Sequence, residues 1–381
     1  MSKTFGMIGG GGGIKLASIA ITTPPAKTTY TAGETFDPAG MVVTATYSNG
    51  ATLKCTGYSY EPNTPLTDGT TKVTIRYTEG GVTATAEQAI TVTAPVVIGA
   101  LNDCTWAQIR EISDAGQAAN YWAVGDTKTI TINGRVGSIT FSNLSVDAFI
   151  LGFNHNSSVE GSNRIHFQIG KISSKLIGLI DGSYSESSTD GSKIFNMNHW
   201  GSNNYGGWAG CDLRYDILGS TDVAPSGYGS AATTSRVGYN ASATCATNPV
   251  ANTLMAALPA DLRAVMKGVT KYADAVGNRS NVLANVKAFT DYLFLLAEFE
   301  VQGTHEYANQ YEQNYQKQYA YYSAGNSKVM YRHSATGSKA TWWLRSAGYN
   351  YTNVFCNVYS DGSAIGNFAH SSYALAPGFV V

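Results

Sequence analysis

The sequence predicts an all-β sandwich followed by a larger α+β domain. Short alternating apolar runs separated by turn residues fill residues 14–94, apolar residues at helical spacing follow from residue 102, and short strands return after residue 341. The composition agrees, because only 13% of the residues are charged while glycine (41) and tyrosine (24) are abundant. A chain of 381 residues is long enough for two domains, each with its own core.

Residues 1–13 are predicted to be a flexible leader. The five glycines Gly9–Gly13 interrupt any apolar stretch that could form the core of a signal peptide, so no signal peptide is expected. The chain is therefore expected to stay in the cell that makes it or to leave by another route, such as inside a released particle. No stretch approaches the roughly 18 apolar residues of a membrane span, so no membrane insertion is expected.

Residues 14–94 are predicted to form a domain of short strands. Alternating runs occur at Ala17–Ile21, Met41–Tyr47, Lys72–Tyr77 and Thr83–Val92, with turn residues between them. The phrases "ITTPPAKTTYTAGETFDPAGMVVTATYSNG" and "AITVT" resemble a bacterial immunoglobulin-like domain. The resemblance implies an immunoglobulin-like sandwich that serves as a spacer or stalk.

The second domain is predicted to span residues 99–381, after the short linker Thr93-Ala-Pro-Val. Its first element is a helix over Asn102–Tyr121, capped by Asn102 or Asp103. The other predicted elements are β-runs at Thr127–Ile132 and Ser138–Phe141, a helical stretch Val250–Val269 interrupted at Pro259, an apolar run Tyr292–Phe299 that fits a strand or a helix, a surface helix Tyr307–Tyr322, and short strands from Thr341 onward.

Charge and motifs argue against several classes of function. The formal net charge is −1 and no basic stripe is present, so nucleic acid is not an expected partner. No nucleophile elbow and no His-Glu-x-x-His motif occurs, so the protein is predicted not to be an enzyme and to need no cofactor. His199 is interpreted as a structural histidine.

The cysteines are predicted to be buried free thiols, because they are widely spaced and include no Cys-x-x-Cys pair that could bind zinc. They are Cys55, Cys104, Cys211, Cys245 and Cys356. Asp212, Asp216 and Asp222 lie near Asn203 and Asn204 and could hold calcium through oxygen ligands. Their spacing matches no calcium loop, so no metal site is predicted.

The most specific signal is the C-terminal phrase "ATWWLRSAGYNYTNVFCNVYSDGSA". Trp342 and Trp343 carry large apolar surfaces, and Arg345 offers a planar set of donors, so these three residues are interpreted as the anchor of a domain core. The phrase resembles the formylglycine-generating-enzyme type of C-type lectin fold and, more closely, the variable proteins of diversity-generating retroelements. The phrases "LNDCTWAQIREISDAGQAANYWAVGD", "FNMNHWGSNNYGGWAGCDLRYDILGS" and "YRHSATGSKATWWLRSA" share this resemblance, which runs from Leu101 to Val381.

The resemblance implies a C-type-lectin-type ligand-binding domain on which adenine-directed copying diversifies a surface. The expected partner is a protein or carbohydrate ligand on a cell surface, and the expected location is a phage virion or the bacterial surface. The enzymes of this fold use a pair of cysteines that has no matching motif here. Two alternatives stay open: an enzyme of the formylglycine-generating type, and a purely structural particle protein.

The residue types near the C-terminus agree with adenine-directed change. Randomising the adenines of an Asn codon cannot yield Lys, Glu, Gln, Met or Trp, and residues 348–374 contain none of them. By proportion, a window of this length holds about three residues of these types. A turn-rich sheet edge would also be poor in these residue types, and this alternative stays open.

The candidate ligand-binding residues lie within this window. Cys356 and Val358 alternate with Asn357 and Tyr359, which predicts one buried and one exposed face of a strand. Tyr351, Tyr359 and Phe368 are expected to form an exposed aromatic cluster. The full candidate set is Gly348, Tyr351, Asn353, Val354, Asn357, Tyr359, Ile365, Gly366, Phe368, His370 and Ser371.

Overall fold

The computed structural model describes residues 13–94, 98–180, 195–198, 203–222 and 244–381. The described residues before the gap at 95–97 form one compact unit, and those from Ile98 onward form a second. His199 lies outside the described residues.

The first unit is built from strands, as the alternating runs predict. The strands are β1 (Leu16–Thr23), β2 (Thr29–Thr31), β3 (Val42–Tyr47), β4 (Thr52–Lys54), β5 (Ser59–Glu61), β6 (Lys72–Glu79), β7 (Val82–Ala89) and β8 (Thr91–Thr93). One antiparallel sheet has the order β1-β3-β4, a second has the order β5-β6-β7, and β2 pairs in parallel with β8. Ile19, Val43 and Ile75 from the two larger sheets meet in one apolar core, which makes this unit a sandwich.

The second unit is also mostly β. Its strands are β9 (Thr127–Val136), β10 (Ile139–Phe153), β11 (Ile165–Ile172), β12 (Lys175–Gly178), β13 (Val269–Asp274), β14 (Val286–Asp291), β15 (Leu293–Phe294), β16 (Met330–Arg332), β17 (Ala335–Ala340), β18 (Trp342–Ala347), β19 (Val354–Val358), β20 (Ala364–Phe368) and β21 (Gly378–Val380).

The helices of the second unit are short. They are α1 (Trp106–Asp114), α2 (Ala118–Tyr121), α3 (Ser157–Glu160), α4 (Gly207–Gly210), α5 (Leu254–Ala257), α6 (Ala260–Val265), α7 (Glu298–Gln302) and α8 (Ala320–Ser323). Tighter turns of 3₁₀-helix occur at Leu101–Asp103, Leu283–Asn285 and Gln310–Asn314, and a π-helical turn occurs at Leu213–Ile217.

Among the described residues, three sheets organise this unit. The largest contains β9 to β12, β15 to β17 and β21, and a hairpin is formed by β13 and β14. The third sheet has the order β18-β19-β20. Two apolar clusters fill the space between these sheets and the helices.

The predicted first helix is shorter than expected. It begins at Trp106 rather than near Asn102, because Thr105 forms a reciprocal cap with Gln108. It ends before Gly116, whose positive φ of 71° is unfavourable for most other residues. The restart at Pro259 is confirmed, because α6 begins at the next residue.

The predicted surface helix over Tyr307–Tyr322 is wrong. The segment forms a short 3₁₀ turn and α8, and its residues Tyr319 and Tyr322 are buried. The side chain of Asn309 accepts from the backbone N–H of Tyr311, which starts the tight turn. The ambiguous run Tyr292–Phe299 contains both kinds of structure, a short strand followed by the start of α7.

Candidate ligand-binding surface

The predicted site residues lie in and around the sheet β18-β19-β20. Strand β19 pairs antiparallel with both neighbours, so it is the central strand. Trp343 and Phe355 belong to one apolar cluster, whereas Trp342 and Cys356 belong to the other, so both faces of β18 and β19 are covered. Strand β20 is partly exposed along its length. The sheet is therefore a firmly packed base with one accessible strand.

Three of the predicted contact residues have about half of their surface in solvent. Tyr351, Tyr359 and Phe368 are 51%, 45% and 49% exposed. Phe368 pairs with Val354 at the start of β19, next to the loop that carries Tyr351, whereas Tyr359 follows the other end of that strand. Because five strand residues span about 17 Å, the expected single cluster is wrong, and only Tyr351 and Phe368 lie at the same end.

Four candidate residues are buried and cannot contact a ligand directly. The buried candidates are Gly348, Val354, Asn357 and Ser371. The partly exposed candidates are Asn353, Ile365, Gly366 and His370. The accessible part of the candidate set is thus limited to the strand ends and to β20.

The predicted exposed face of β19 is also wrong at Asn357. This residue is fully buried because apolar clusters cover both faces of its strand, so the alternation separates two cores rather than a core from solvent. Neither its amide oxygen nor its amide nitrogen has a hydrogen-bond partner among the described residues. Asn357 pairs with Ile365 and Cys356 pairs with Gly366, so Ile365 and Gly366 face opposite sides of the sheet.

Tyr307 was not among the candidates, yet it lies against one of them. A Cβ built on Gly366 would come within 3.3 Å of Cδ1 of the Tyr307 ring. The backbone oxygen of Tyr307 accepts from the N–H of Tyr349, and its neighbour Ala308 forms a bridge with Gly348. Phe368 also stacks on His370, with 5.5 Å between ring centroids. We call Tyr307, Tyr351, Phe368 and His370 the aromatic surface.

A buried carboxylate fixes the segment that carries Tyr307. Glu298 is fully buried, and its two oxygens accept from the backbone N–H groups of Glu306, Tyr307 and Ala308 at 2.7–3.2 Å. Charge-assisted bonds to backbone donors are stronger than neutral ones. The protein's own buried contacts therefore set the position of Tyr307.

A buried amide fixes the loop that carries Tyr351. Nδ2 of Asn204 donates to the carbonyl oxygens of Gly348, Tyr351 and Val354 at 2.9–3.1 Å. The backbone N–H of Asn204 donates to the carbonyl of Thr352. Asn204 was considered as a calcium ligand from the sequence, but its amide group holds a loop instead.

Trp342, Trp343 and Arg345 form part of the core, as predicted. All three are fully buried. The indole N–H of Trp342 donates to the carbonyl of Lys328, and that of Trp343 donates to the carbonyl of Phe195. Arg345 makes a two-bond ion pair with Glu300, at 2.6 and 2.8 Å.

This ion pair belongs to a larger buried group of charges. Lys271 Nζ lies 2.6 Å from Glu160 and 3.1 Å from Glu300, and it also donates to the hydroxyl of Tyr319. We call Glu160, Lys271, Glu300 and Arg345 the ionic cluster. Two acids and two bases balance the formal charge, which the low-dielectric interior requires. Apart from Arg345, these residues carried no sequence motif that indicated a shared site.

Atoms of His155, Glu160 and Glu300 lie within 4.8 Å of one another, a spacing that could hold a metal ion. The ammonium group of Lys271 contacts both carboxylates. The protein therefore supplies its own cation at this position. Asp212, Asp216 and Asp222 do not form such a group in the part of the chain that the structure describes.

Burial and neighbouring charges shift the pKa values in this cluster in different directions. Burial raises the pKa of Glu160 above its ordinary value despite the contact with Lys271. Burial acts in the same direction on Glu300, but Arg345 and Lys271 outweigh it and hold the pKa of Glu300 well below the usual range. Burial lowers the pKa of His155 to about 3, so this histidine is neutral.

The five cysteines are buried and free, as predicted. Burial raises the pKa of Cys245, Cys356 and Cys55 above the ordinary thiol value. For Cys356, the nearby carboxylate of Glu298 acts in the same direction. These three thiols are thus held in the protonated, less nucleophilic form.

The first unit is immunoglobulin-like: residues 23–93 match the family model of the bacterial Ig-like domain (group 3). Residues 192–381, which include β18, β19 and β20, match the family described as Domain of unknown function (DUF6273). No curated protein matches the chain. None of the described helices has the length and apolar character needed to cross a membrane.

Proposed function

We propose that this protein is a ligand-binding display protein whose recognition surface includes the aromatic surface and the accessible candidate residues around it. One observation carries the proposal. Tyr351 and Phe368 are each about half exposed at one end of the sheet β18-β19-β20, in which strands β18 and β19 are buried on both faces. Exposed apolar side chains that lie together on one surface often mark a site of interaction with a partner. Tyrosine suits this role because it offers contact area and a hydroxyl at a small cost in conformational entropy.

The way in which the surface is held supports recognition by a pre-organised scaffold. Asn204 and Glu298 fix the two segments that carry Tyr351 and Tyr307, through buried hydrogen bonds to the backbone. Such bonds do not depend on the side chains that point outward. The outward residues can therefore change while the backbone stays in place, as diversification of a binding surface requires.

We propose further that the second unit has a C-type-lectin-type fold and that the protein is the variable protein of a diversity-generating retroelement. The composition of residues 348–374 and the quoted C-terminal phrases support this. The immunoglobulin-like unit would then act as a spacer on a phage virion or a bacterial surface. The ligand would be a protein or a carbohydrate on a cell.

Sequencing of the genomic DNA around the gene tests the diversification. We expect a near-copy of the 3′ end that differs only at adenines, with a reverse transcriptase gene nearby. The differing codons should correspond to accessible residues such as Tyr351, Ile365 and Phe368. A locus without the near-copy would remove the argument for diversification and would favour an invariant binding or structural role.

Cell binding tests recognition itself. Fluorescently labelled protein is mixed with a panel of intact bacterial cells, and bound protein is measured by flow cytometry. We expect the wild type to label a subset of strains and Tyr351→Ala to reduce that labelling. Tyr121→Ala is the matched control, because Tyr121 is an exposed tyrosine outside the candidate set. A protein that labels no strain, or that labels equally well with Tyr351→Ala, contradicts the proposal.

Thiol labelling of the native protein separates this proposal from an enzyme of the formylglycine-generating type. Such an enzyme needs a reactive cysteine, whereas burial raises the pKa of Cys245 and Cys356 here. We expect all five thiols to react with a small disulfide reagent only after unfolding. A fast-reacting thiol in the folded protein would favour the enzyme.

A further inference from the structure

A loop outside the candidate set meets the aromatic surface at Asn204. Oδ1 of Asn204 accepts from the backbone N–H of Asn278 at 3.0 Å, while its Nδ2 donates to three carbonyls of the Tyr351 loop. The side chain is fully buried. One amide group therefore joins two loops, residues 277–283 and residues 348–354.

The first of these loops has an unusual backbone at this junction. Gly277, Asn278 and Arg279 are consecutive residues with positive φ, at 63°, 56° and 59°. A Cβ on Gly277 would lie only 2.2 Å from the backbone oxygen of Asn204, so this position needs glycine. The carboxylate of Asp274 accepts from the N–H groups of Val276 and Gly277 and holds the turn. The surrounding structure thus keeps the loop against Asn204 in a conformation that most residues avoid.

A second set of contacts brings the loop to the Tyr307 segment. The side chain of Asn309 donates to the carbonyl of Val282, and the N–H of Gln310 donates to the side chain of Asn281. Ala308, next to Asn309, pairs with Gly348. At about 3.5 Å per residue and about 5 Å between paired chains, Val282 and Gly348 are on the order of 10 Å apart.

This loop exposes two aliphatic side chains. Val282 and Leu283 are 44% and 45% exposed, similar to the exposed fractions of Tyr351 and Phe368. They add an aliphatic area to the aromatic surface at a distance that one protein partner can span.

We propose that the recognition surface is composite and binds a protein, with Asn204 as the positioning residue that couples its two loops and Val282 and Leu283 as additional contacts. The proposal rests on the proposed function. Aliphatic side chains gain free energy by removing apolar area from water, and a protein partner offers apolar side chains to cover them. A carbohydrate offers mainly hydroxyl groups, which Val282 and Leu283 cannot hydrogen-bond.

Hydrogen exchange near neutral pH tests the coupling without a ligand. Asn204→Ala removes both the donor and the acceptor, so the amides of Asn278 and Gly348 should both exchange faster. Asn204→Asp keeps an acceptor for Asn278 but places a carboxylate oxygen against three carbonyls, so only the Tyr351 loop should exchange faster. Unchanged exchange at Gly348 in both variants would overturn the positioning role.

Cell binding, with the assay described above, tests the contacts. We expect Val282→Ser/Leu283→Ser to lower the apparent affinity for the labelled strains by about tenfold or more, as truncation of interface anchors does. Leu53→Ser is the matched control, because Leu53 is an exposed leucine of the other unit. Asn204→Ala should lower binding as well. Asn204→Asp should also lower binding, because it perturbs the Tyr351 loop while it keeps the hydrogen bond to Asn278.

The outcomes separate the two proposals. If Tyr351→Ala reduces binding and Val282→Ser/Leu283→Ser does not, the composite surface is overturned and the proposed function stands. If Tyr351→Ala binds the cells as well as the wild type does, the proposed function is overturned and the inference that rests on it is overturned as well. Protease treatment of the cells should abolish binding, whereas periodate oxidation of their sugars should not. The opposite pattern would overturn the protein partner in favour of a carbohydrate.

Discussion

Lys271 shows how the protein surrounds a fully buried basic side chain with polar partners. Its ammonium group contacts two carboxylates and the Tyr319 hydroxyl, and it lies over the ring of Phe294 at 4.4 Å from the centroid. The two carboxylates and Arg345 complete a balanced set of charges. Each member therefore depends on the others, because removing one leaves an uncompensated charge in a low-dielectric interior.

We expect Lys271→Met to destabilise the protein by about 3–5 kcal/mol, the usual cost of breaking a buried ion pair from one side. The free energy of unfolding is measured by urea denaturation. Lys72→Met is the control, because Lys72 pairs with Glu87 while more than half of each side chain is exposed. Its loss should stay below about 1 kcal/mol. Equal losses in the two variants would contradict the argument.

Glu160 should make the stability depend on pH. Its pKa is higher in the folded protein than the ordinary 4.5. The folded state therefore holds the proton more tightly than the unfolded state, and stability is lost as the pH rises from about 4.5 through the folded pKa. Glu300 acts in the opposite sense, because its lowered pKa gives stability that is lost as the pH falls below about 4.5.

We expect Glu160→Gln to flatten the decline in unfolding free energy between about pH 5 and about pH 8. Urea denaturation at several pH values measures this slope for the wild type and the variant. Glu87→Gln, at the exposed pair, should leave the slope as it is in the wild type. If Glu160→Gln keeps the wild-type slope of unfolding free energy against pH, groups other than Glu160 cause the pH dependence.

At the scale of single elements, β19 shows what the alternation of side chains between the two faces of a strand can and cannot predict. Alternation in the sequence predicts which residues share a face, and the register confirms that Cys356 and Val358 do. Alternation cannot tell whether the other face meets water. At Asn357 it meets a second apolar cluster, which residues distant in sequence provide. The helix predicted over Tyr307–Tyr322 is wrong for a related reason. Buried contacts determine the conformation of this segment, and local periodicity does not reveal them.

The close approach of Gly348 to Val354 gives an element-scale prediction. A Cβ on Gly348 would lie 2.4 Å from Cγ2 of Val354, so Gly348→Ala should cost about 1–3 kcal/mol of unfolding free energy. Val354→Ala removes the clashing methyl group, so the double variant should be more stable than the sum of the single effects implies. Gly337→Ala is the control, because no atom lies within 4 Å of the position that its added methyl group would take. Additive effects would contradict the clash.

At the scale of the whole molecule, the sequence predicts the order of the two units and the β character of the first, because turn residues and alternating runs are local signals. It also identifies Trp342, Trp343 and Arg345 as core residues, because two adjacent tryptophans carry large apolar surfaces and the nearby arginine offers a planar set of donors. It does not reveal Asn204, Glu298 or Lys271 as organising residues. The side chains of Lys271 and Asn204 bind partners that lie 29 to 150 residues away in the sequence. Local sequence patterns do not predict contacts between residues so far apart.

The first unit has a core of its own, so we expect residues 13–94 to fold alone. Circular dichroism should show a cooperative thermal transition for this fragment. Val43→Asp should abolish the transition, because Val43 is fully buried in the sandwich, whereas Leu53→Asp at an exposed position should preserve it. A fragment without a transition would mean that this core is insufficient.

The ionic cluster also bears on the route by which the second unit folds. Lys271 meets a partner 111 residues before it and another 29 residues after it, and the second partner meets Arg345 a further 45 residues along the chain. A partly assembled intermediate that dehydrates only one of these charges is high in free energy, whereas the complete set compensates itself. Segments spread over nearly half of the chain must therefore come together in one concerted step, and long-range closure of this kind makes folding slow.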